Sequence, residues 1–289
     1  MIFYPKDIKD SSQYVENLNY LDIGSRGGIS GWFKLIEKKL NIISFEAEIN
    51  EGLFNCQGER TLYLTSEKSQ SSLFRPNPKQ KIFENEETRL NYKEQKIIVN
   101  TLDNKLKNFS KKIDLIKIDT QGSEYEILEG GFKRIAKDMP FLFLETWCYP
   151  YYENIKLFDE IITKLRTIGY EIYLLDVAAS KKINIKNKFS KNIGQEKMTG
   201  FNLFLGPSIE YMMLEKTIED RIKRSFILQV HDLLTFSYKI VENDEHMYKK
   251  ILEKIIKKRI KYYNFYQVAK YISLIKNKLF KSNNFYPLT

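Results

Sequence analysis

Histidine is almost missing from this 289-residue chain: only His231 and His246 occur, and residues 1–210 contain none. That absence excludes Ser-His-Asp and Cys-His catalysis, and histidine-ligated metal centres, from the first 210 residues. Any general base there must be a carboxylate, a tyrosine, a lysine or a water molecule. Cysteine is equally scarce. Cys56 and Cys148 are too few for a disulfide framework or a zinc site, which fits a reducing, cytoplasmic setting. No apolar run approaches the roughly 18 residues that a bilayer span requires. The opening stretch MIFYPKDIKDSSQYVEN lacks the basic-then-apolar order of a secretory signal. There is no G-x-x-x-x-G-K-[ST] run either, which removes P-loop phosphate chemistry.

The net charge of +10 is unevenly spread. Residues 211–289 hold 16 Lys and Arg against 8 Asp and Glu, so they carry +8 of it. The remaining residues are close to neutral, and no nucleic-acid partner is expected for them. Within the basic segment, residues 247–280 place Ile251, Ile255, Ile256 and Ile260 on one helical stripe, with lysines and Arg259 around it. We expect appended helices with a solvated basic face. The alternatives are a peripheral contact of 247–280 with a membrane surface, on the inner face of the membrane, or an element that makes a homo-oligomer.

Upstream, strand and helix signals alternate. LNYLDIGS (18–25) reads as a strand entering a glycine cluster, since Gly24, Gly27, Gly28 and Gly31 fall within eight residues. WFKLIEKKL (32–40) has helical spacing at Trp32, Leu35, Ile36 and Leu40, and NIISFEAE (41–48) reads as the next strand. LFNCQ and TLYLT, within 53–64, read as short strands. The polar stretch 66–95 reads as a long loop. Strands at 95–100, 114–120, 139–147, 170–178 and 200–206 follow, with helices over 124–138 and 155–169. The pattern predicts an α/β fold: a doubly wound, mainly parallel sheet over residues 1–207, with a helical C-terminal extension over 208–289.

In such sheets ligands bind beyond the carboxyl ends of the strands. Four strands end in or beside an acid there: Asp22, Glu46, Asp119 and Glu145. Glu46 stands where this fold class places a carboxylate on ribose hydroxyls, which points to an adenosine-containing cofactor. The turn LDIGSRGG is not a dinucleotide fingerprint, because Arg26 takes the place of the second glycine. That disfavours a nicotinamide-dependent sugar oxidoreductase. Asp22 would repel a pyrophosphate but suits an ammonium or sulfonium group, and S-adenosylmethionine carries both.

The stretches LDIGSRGG, FEAE, NTLDNKL, IDLIKIDTQGSEYEILEGG and FLFLE, in that order over residues 18–206, resemble the FkbM-type methyltransferase family. SQSSLF (69–74) is similar to a serine-containing element of the same family. The resemblance implies the class I, Rossmann-like S-adenosylmethionine-dependent fold and O-methylation of a hydroxyl on a sugar, glycan or related metabolite. It also implies that Asp22, Gly24, Gly27 and Gly28, with the intervening Ser25 and Arg26, hold the methionine end of the cofactor and that Glu46 holds the ribose. Asp119 and Glu124 would lie at the transfer site.

With imidazole excluded, Asp119 and Glu124 are the candidate catalytic acids. Asp119 leaves a central strand, and Glu124 enters the first turn of a helix, where the dipole favours an anion. The two could also bracket a divalent metal. Lys117 would neutralise them, while Glu145, Trp147, Ser71 and Ser72 are candidates for contacting the small-molecule or glycan acceptor. A non-catalytic, methyltransferase-like scaffold in a glycan-assembly complex is the competing reading, and retained charges near a core argue against it.

Overall fold

A computed structural model describes residues 5–24, 29, 31–45, 51–83, 86–182 and 196–281. Two compact units emerge: residues 16–215, and a second that joins the N-terminal segment up to Val15 with the chain from Lys216 onward.

Among its described residues the first unit carries nine strands: β1 (Leu18–Ile23), β2 (Leu40–Phe45), β3 (Glu51–Leu53), β4 (Gly58–Thr65), β5 (Tyr92–Asn100), β6 (Leu115–Ile118), β7 (Phe141–Trp147), β8 (Tyr170–Lys181) and β9 (Lys197–Pro207). Six of them form one sheet in the order β2-β1-β6-β7-β9-β8. The β1–β2, β1–β6 and β6–β7 pairs are parallel, and β9 runs antiparallel to both β7 and β8. The expected mainly parallel α/β sheet is therefore present. Strands β1 and β6 are buried along their whole length, as strands covered on both faces must be. Leu21, Ile116, Ile118, Leu142 and Leu144 form the centre of the core.

Three local expectations change. Residues 51–100 do not add to the main sheet, because β3, β5 and β4 form a separate three-stranded sheet. The polar stretch 66–95 is not one loop. It holds 3-10 turns at Lys68–Gln70 and Pro78–Ile82 and a helical turn at Glu87–Leu90, and its last residues already belong to β5. Gly31–Lys39 is a 3-10 helix, and Leu40 begins β2. The 3-10 helix stacks residues three apart, which puts Phe33 and Ile36 in the core and leaves Leu35 exposed.

The expected helix over 124–138 is two helices, Glu124–Gly130 and Phe132–Asp138. The break falls at Gly131, where a Cβ would lie 2.7 Å from Leu102 Cδ2, so the backbone closes onto that side chain.

The second unit is helical at Pro5–Ser12, Ile218–Val230, Leu234–Val241 and Met247–Lys281. Its division differs from the expected 1–207 and 208–289 because Asp7 pairs with Lys258 and Arg259, and Ser11 accepts a hydrogen bond from Gln229. These bonds tie the N-terminal helix to the C-terminal ones. Among the described residues no helix is long and apolar enough to cross a membrane.

Candidate active site

The site is built at the carboxyl ends of β1, β6 and β7. Asp119 is the first residue past β6, and its N–H still donates to the Ile23 carbonyl at 3.0 Å, so the carboxylate is carried on the rigid sheet edge. Gly24 follows β1 with φ +80°, and a Cβ on it would sit 2.1 Å from the Asp119 carbonyl oxygen. Only glycine allows the two chain ends to come this close.

Lys117 and Asp22 are direct neighbours across the β1–β6 ladder. The Lys117 ammonium is buried, 3.7 Å from Asp22 Oδ1 and 3.3 Å from Asp119 Oδ2. A buried cation needs such partners. Asp22 also engages the Tyr20 hydroxyl, which burial, and then Asp22, hold well above the usual phenol range. Asp119 differs from this pair because about a third of its side chain is open.

Glu145, on β7, is buried beside Asp119, and burial first, then its interaction with Asp119, raise its carboxyl pKa above the ordinary range.

Glu124 is used differently. Its carboxylate accepts from the Thr120 N–H at 2.9 Å, the Thr120 hydroxyl at 3.1 Å and the Gly122 N–H at 3.0 Å. It is 2 % exposed and closes the 119–124 loop from inside. Burial lifts its pKa to about 7, while these amides pull in the opposite direction. Within the loop Gln121 adopts φ +58°, and its carbonyl accepts from Ser72 Oγ at 2.7 Å. The Tyr152 hydroxyl, buried next to the loop, donates to the Gln70 carbonyl at 2.7 Å. The 119–124 loop is thus fastened to the 70–72 segment.

Asp119, Glu145, Gly24, Ser71, Ser72 and Trp147 all line a cavity of about 650 Å³. That volume is ordinary for a small-molecule site. Its lining includes the apolar Ile23, Phe45, Leu53 and Ile127, and also Trp147, Tyr151, Arg89 and Lys181. Residues 25–172 match the Methyltransferase FkbM domain, about half of the chain. The chain belongs to the FkbM methyltransferase family. It is a methyltransferase, and no curated protein matches it.

For an FkbM methyltransferase, the geometry sorts the candidates into groups. Asp119, Glu145, Trp147, Ser71, Ser72 and Gly24 share the cavity wall. Lys117 and Glu124, not on the wall, contact Asp119 and its loop, and Asp22 reaches Asp119 through Lys117. Ser25, Arg26, Gly27, Gly28 and Glu46 lie outside the described residues. Among the described residues no group of three His, Cys, Asp or Glu side chains could hold a metal ion.

Sequence reasoning missed Arg89, Gln121, Tyr151 and Lys181 on the wall. The aromatic run WCYPYY (147–152) was the available signal, since Trp147, Tyr151 and Tyr152 pack with Phe83 and Ile155 into one cluster beside the cavity.

Proposed function

We propose that this FkbM methyltransferase uses S-adenosylmethionine to methylate a hydroxyl of a sugar, a glycan or a related metabolite. One observation carries the proposal: the Asp119 carboxylate stands on the cavity wall at the end of a central strand, with the Lys117 ammonium 3.3 Å away and Glu145 on the same wall.

The donor set suits the cofactor. Ile23, Phe45, Leu53 and Ile127 offer a flat apolar wall for a nucleoside base, and the acids offer negative potential to a sulfonium. Gly24, with Ser25, Arg26, Gly27 and Gly28, would hold the methionine end, and Glu46 the ribose. When bound, S-adenosylmethionine supplies a methyl group activated by its positive sulfur.

The protein's task is to align the acceptor and take its proton. Asp119 accepts a hydrogen bond from the acceptor hydroxyl and receives its proton as the oxygen attacks. A hydroxyl that is gaining a methyl group becomes strongly acidic, so a carboxylate is a sufficient base. Lys117 fixes the direction of the Asp119 carboxylate. Glu124 acts through the backbone, holding the loop on which Asp119 sits. Ser72 and Tyr152 brace that loop from the other side.

A calorimetric titration with S-adenosylhomocysteine tests the cofactor, and a protein that fails to bind it refutes the proposal. Screening sugars and glycans for a new O-methyl signal by NMR tests the acceptor class, and transfer to nitrogen or carbon acceptors alone would refute that part.

A further inference from the structure

The acceptor side of the cavity contains more positive charge than the protein neutralises there. Arg89, from the turn Glu87–Leu90, and Lys181, at the end of β8, both line the wall. One carboxylate serves them both. Glu86 Oε2 lies 3.2 Å from Arg89 Nη1, and Glu86 Oε1 lies 2.8 Å from Lys181 Nζ. Glu86 is buried and is not part of the wall. Among the described residues, the cavity therefore faces two cations that share one carboxylate, Glu86, which is not on its wall.

Their hydrogen-bonding capacity is also underused. A guanidinium has five N–H donors and an ammonium three. Arg89 spends Nη1 on Glu86 and, at 3.4 Å, on Gln80, and among the described residues its Nε makes no hydrogen bond. The guanidinium is held in place by rings instead, 4.4 Å from the centre of Tyr151 and 5.6 Å from that of Trp147. Two aromatic faces and a carboxylate fix a cation that still has donors to offer. Lys181, with about 30 % of its side chain open, is the more reachable of the two.

We infer that the acceptor carries an anionic group, a carboxylate or a phosphate, which Arg89 and Lys181 bind while Asp119 receives the hydroxyl. This rests on the hydroxyl-methylating reading above and adds the charge class of the substrate. The cavity is then polarised, negative at the point of transfer and positive where the acceptor is anchored. A neutral sugar would leave Arg89 and Lys181 sharing the one carboxylate of Glu86, whereas an anionic acceptor would supply a second partner.

The test uses the full chain loaded with S-adenosylhomocysteine, into which glucose, glucuronate and glucose 1-phosphate are titrated separately. At least one anionic sugar should bind ten times or more tightly than glucose, and which one binds separates a carboxylate from a phosphate source. Lys181→Met should abolish that preference while leaving the affinity for S-adenosylhomocysteine unchanged. Equal affinities for the three sugars, none detectable included, overturn the inference. So does a preference that survives Lys181→Met, or a Lys181→Met protein that loses S-adenosylhomocysteine instead. A wild-type chain that never binds S-adenosylhomocysteine refutes the cofactor reading, a distinct failure.

Discussion

The two units of the chain use buried polar groups in opposite ways. In the helical unit they are spent on one another. Tyr248 donates to Gln229 at 3.0 Å and contacts Ser225, Gln229 donates to Ser11 at 2.8 Å, and Ser225 meets Ser237 at 2.8 Å. His231 is buried there and held neutral, its pKa lowered to about 3 by burial. In the sheet unit, Asp119, Glu145, Arg89 and Lys181 instead line a cavity. A satisfied network holds a fold together, whereas polar groups left open at a cavity are available to a ligand. Of the two imidazoles, His231 serves as a neutral core side chain.

Asp119→Asn should sharpen that contrast most. It keeps the shape of the side chain and removes the base, so turnover should fall by roughly 10²- to 10⁴-fold, with S-adenosylhomocysteine affinity and thermal midpoint close to wild type. Rates on an acceptor found by screening, set beside calorimetry, would check it. A variant that turns over normally would move the base elsewhere.

Glu124→Ala should show the opposite balance. It strips three acceptor contacts from a partly buried loop, and each orphaned donor costs about 1–3 kcal/mol. Stability should fall by roughly 3 kcal/mol, read by urea unfolding, and turnover should fall because Asp119 loses its support. Loss of turnover without loss of stability would show Glu124 acting on the acceptor directly.

This pair of acids also shows how far the sequence could be read. The apolar runs LNYLDI and DLIKID announce buried parallel strands, and chain order places Asp119 at a carboxyl end where ligands bind. Those inferences need only local pattern and the rules of α/β sheets. Glu124 was harder, because a glutamate in the first turn of a helix looks the same whether it faces a ligand or turns back to cap Thr120 and Gly122. The deciding feature is Gln121 at φ +58°, which no pattern announces. Arg89 and Lys181 lie 92 positions apart in polar surroundings, and only folding brings both to Glu86. The separate sheet of β3, β4 and β5 was hidden for a similar reason: short alternating strands do not declare which sheet they join.

A smaller effect should come from the helical unit. Tyr248→Phe removes the hydroxyl that meets Gln229 and Ser225, leaving a buried acceptor unpaired at a cost of about 1–2 kcal/mol. The thermal midpoint should drop while turnover at moderate temperature stays unchanged. A variant that lost turnover without losing stability would break the division between the units.

The smallest effect concerns Glu126, on the helix that follows the loop. Its residue is buried, its Oε2 makes no hydrogen bond, and burial lifts its pKa to about 7. A carboxyl whose pKa is raised on folding adds stability that is fully present below its unfolded value of about 4.5 and is lost as pH climbs through about 7. Glutamine copies the protonated form at every pH. Glu126→Gln should therefore match the wild type at pH 4.5 and exceed it by about 1 kcal/mol at pH 8.5, the raised pKa being only partly realised at a site with some solvent access. Thermal melts at the two pH values read the difference directly. A variant equally stable to wild type at both would mean that Glu126 ionises without penalty, and that buried charge in the sheet unit is not confined to the groups around the cavity.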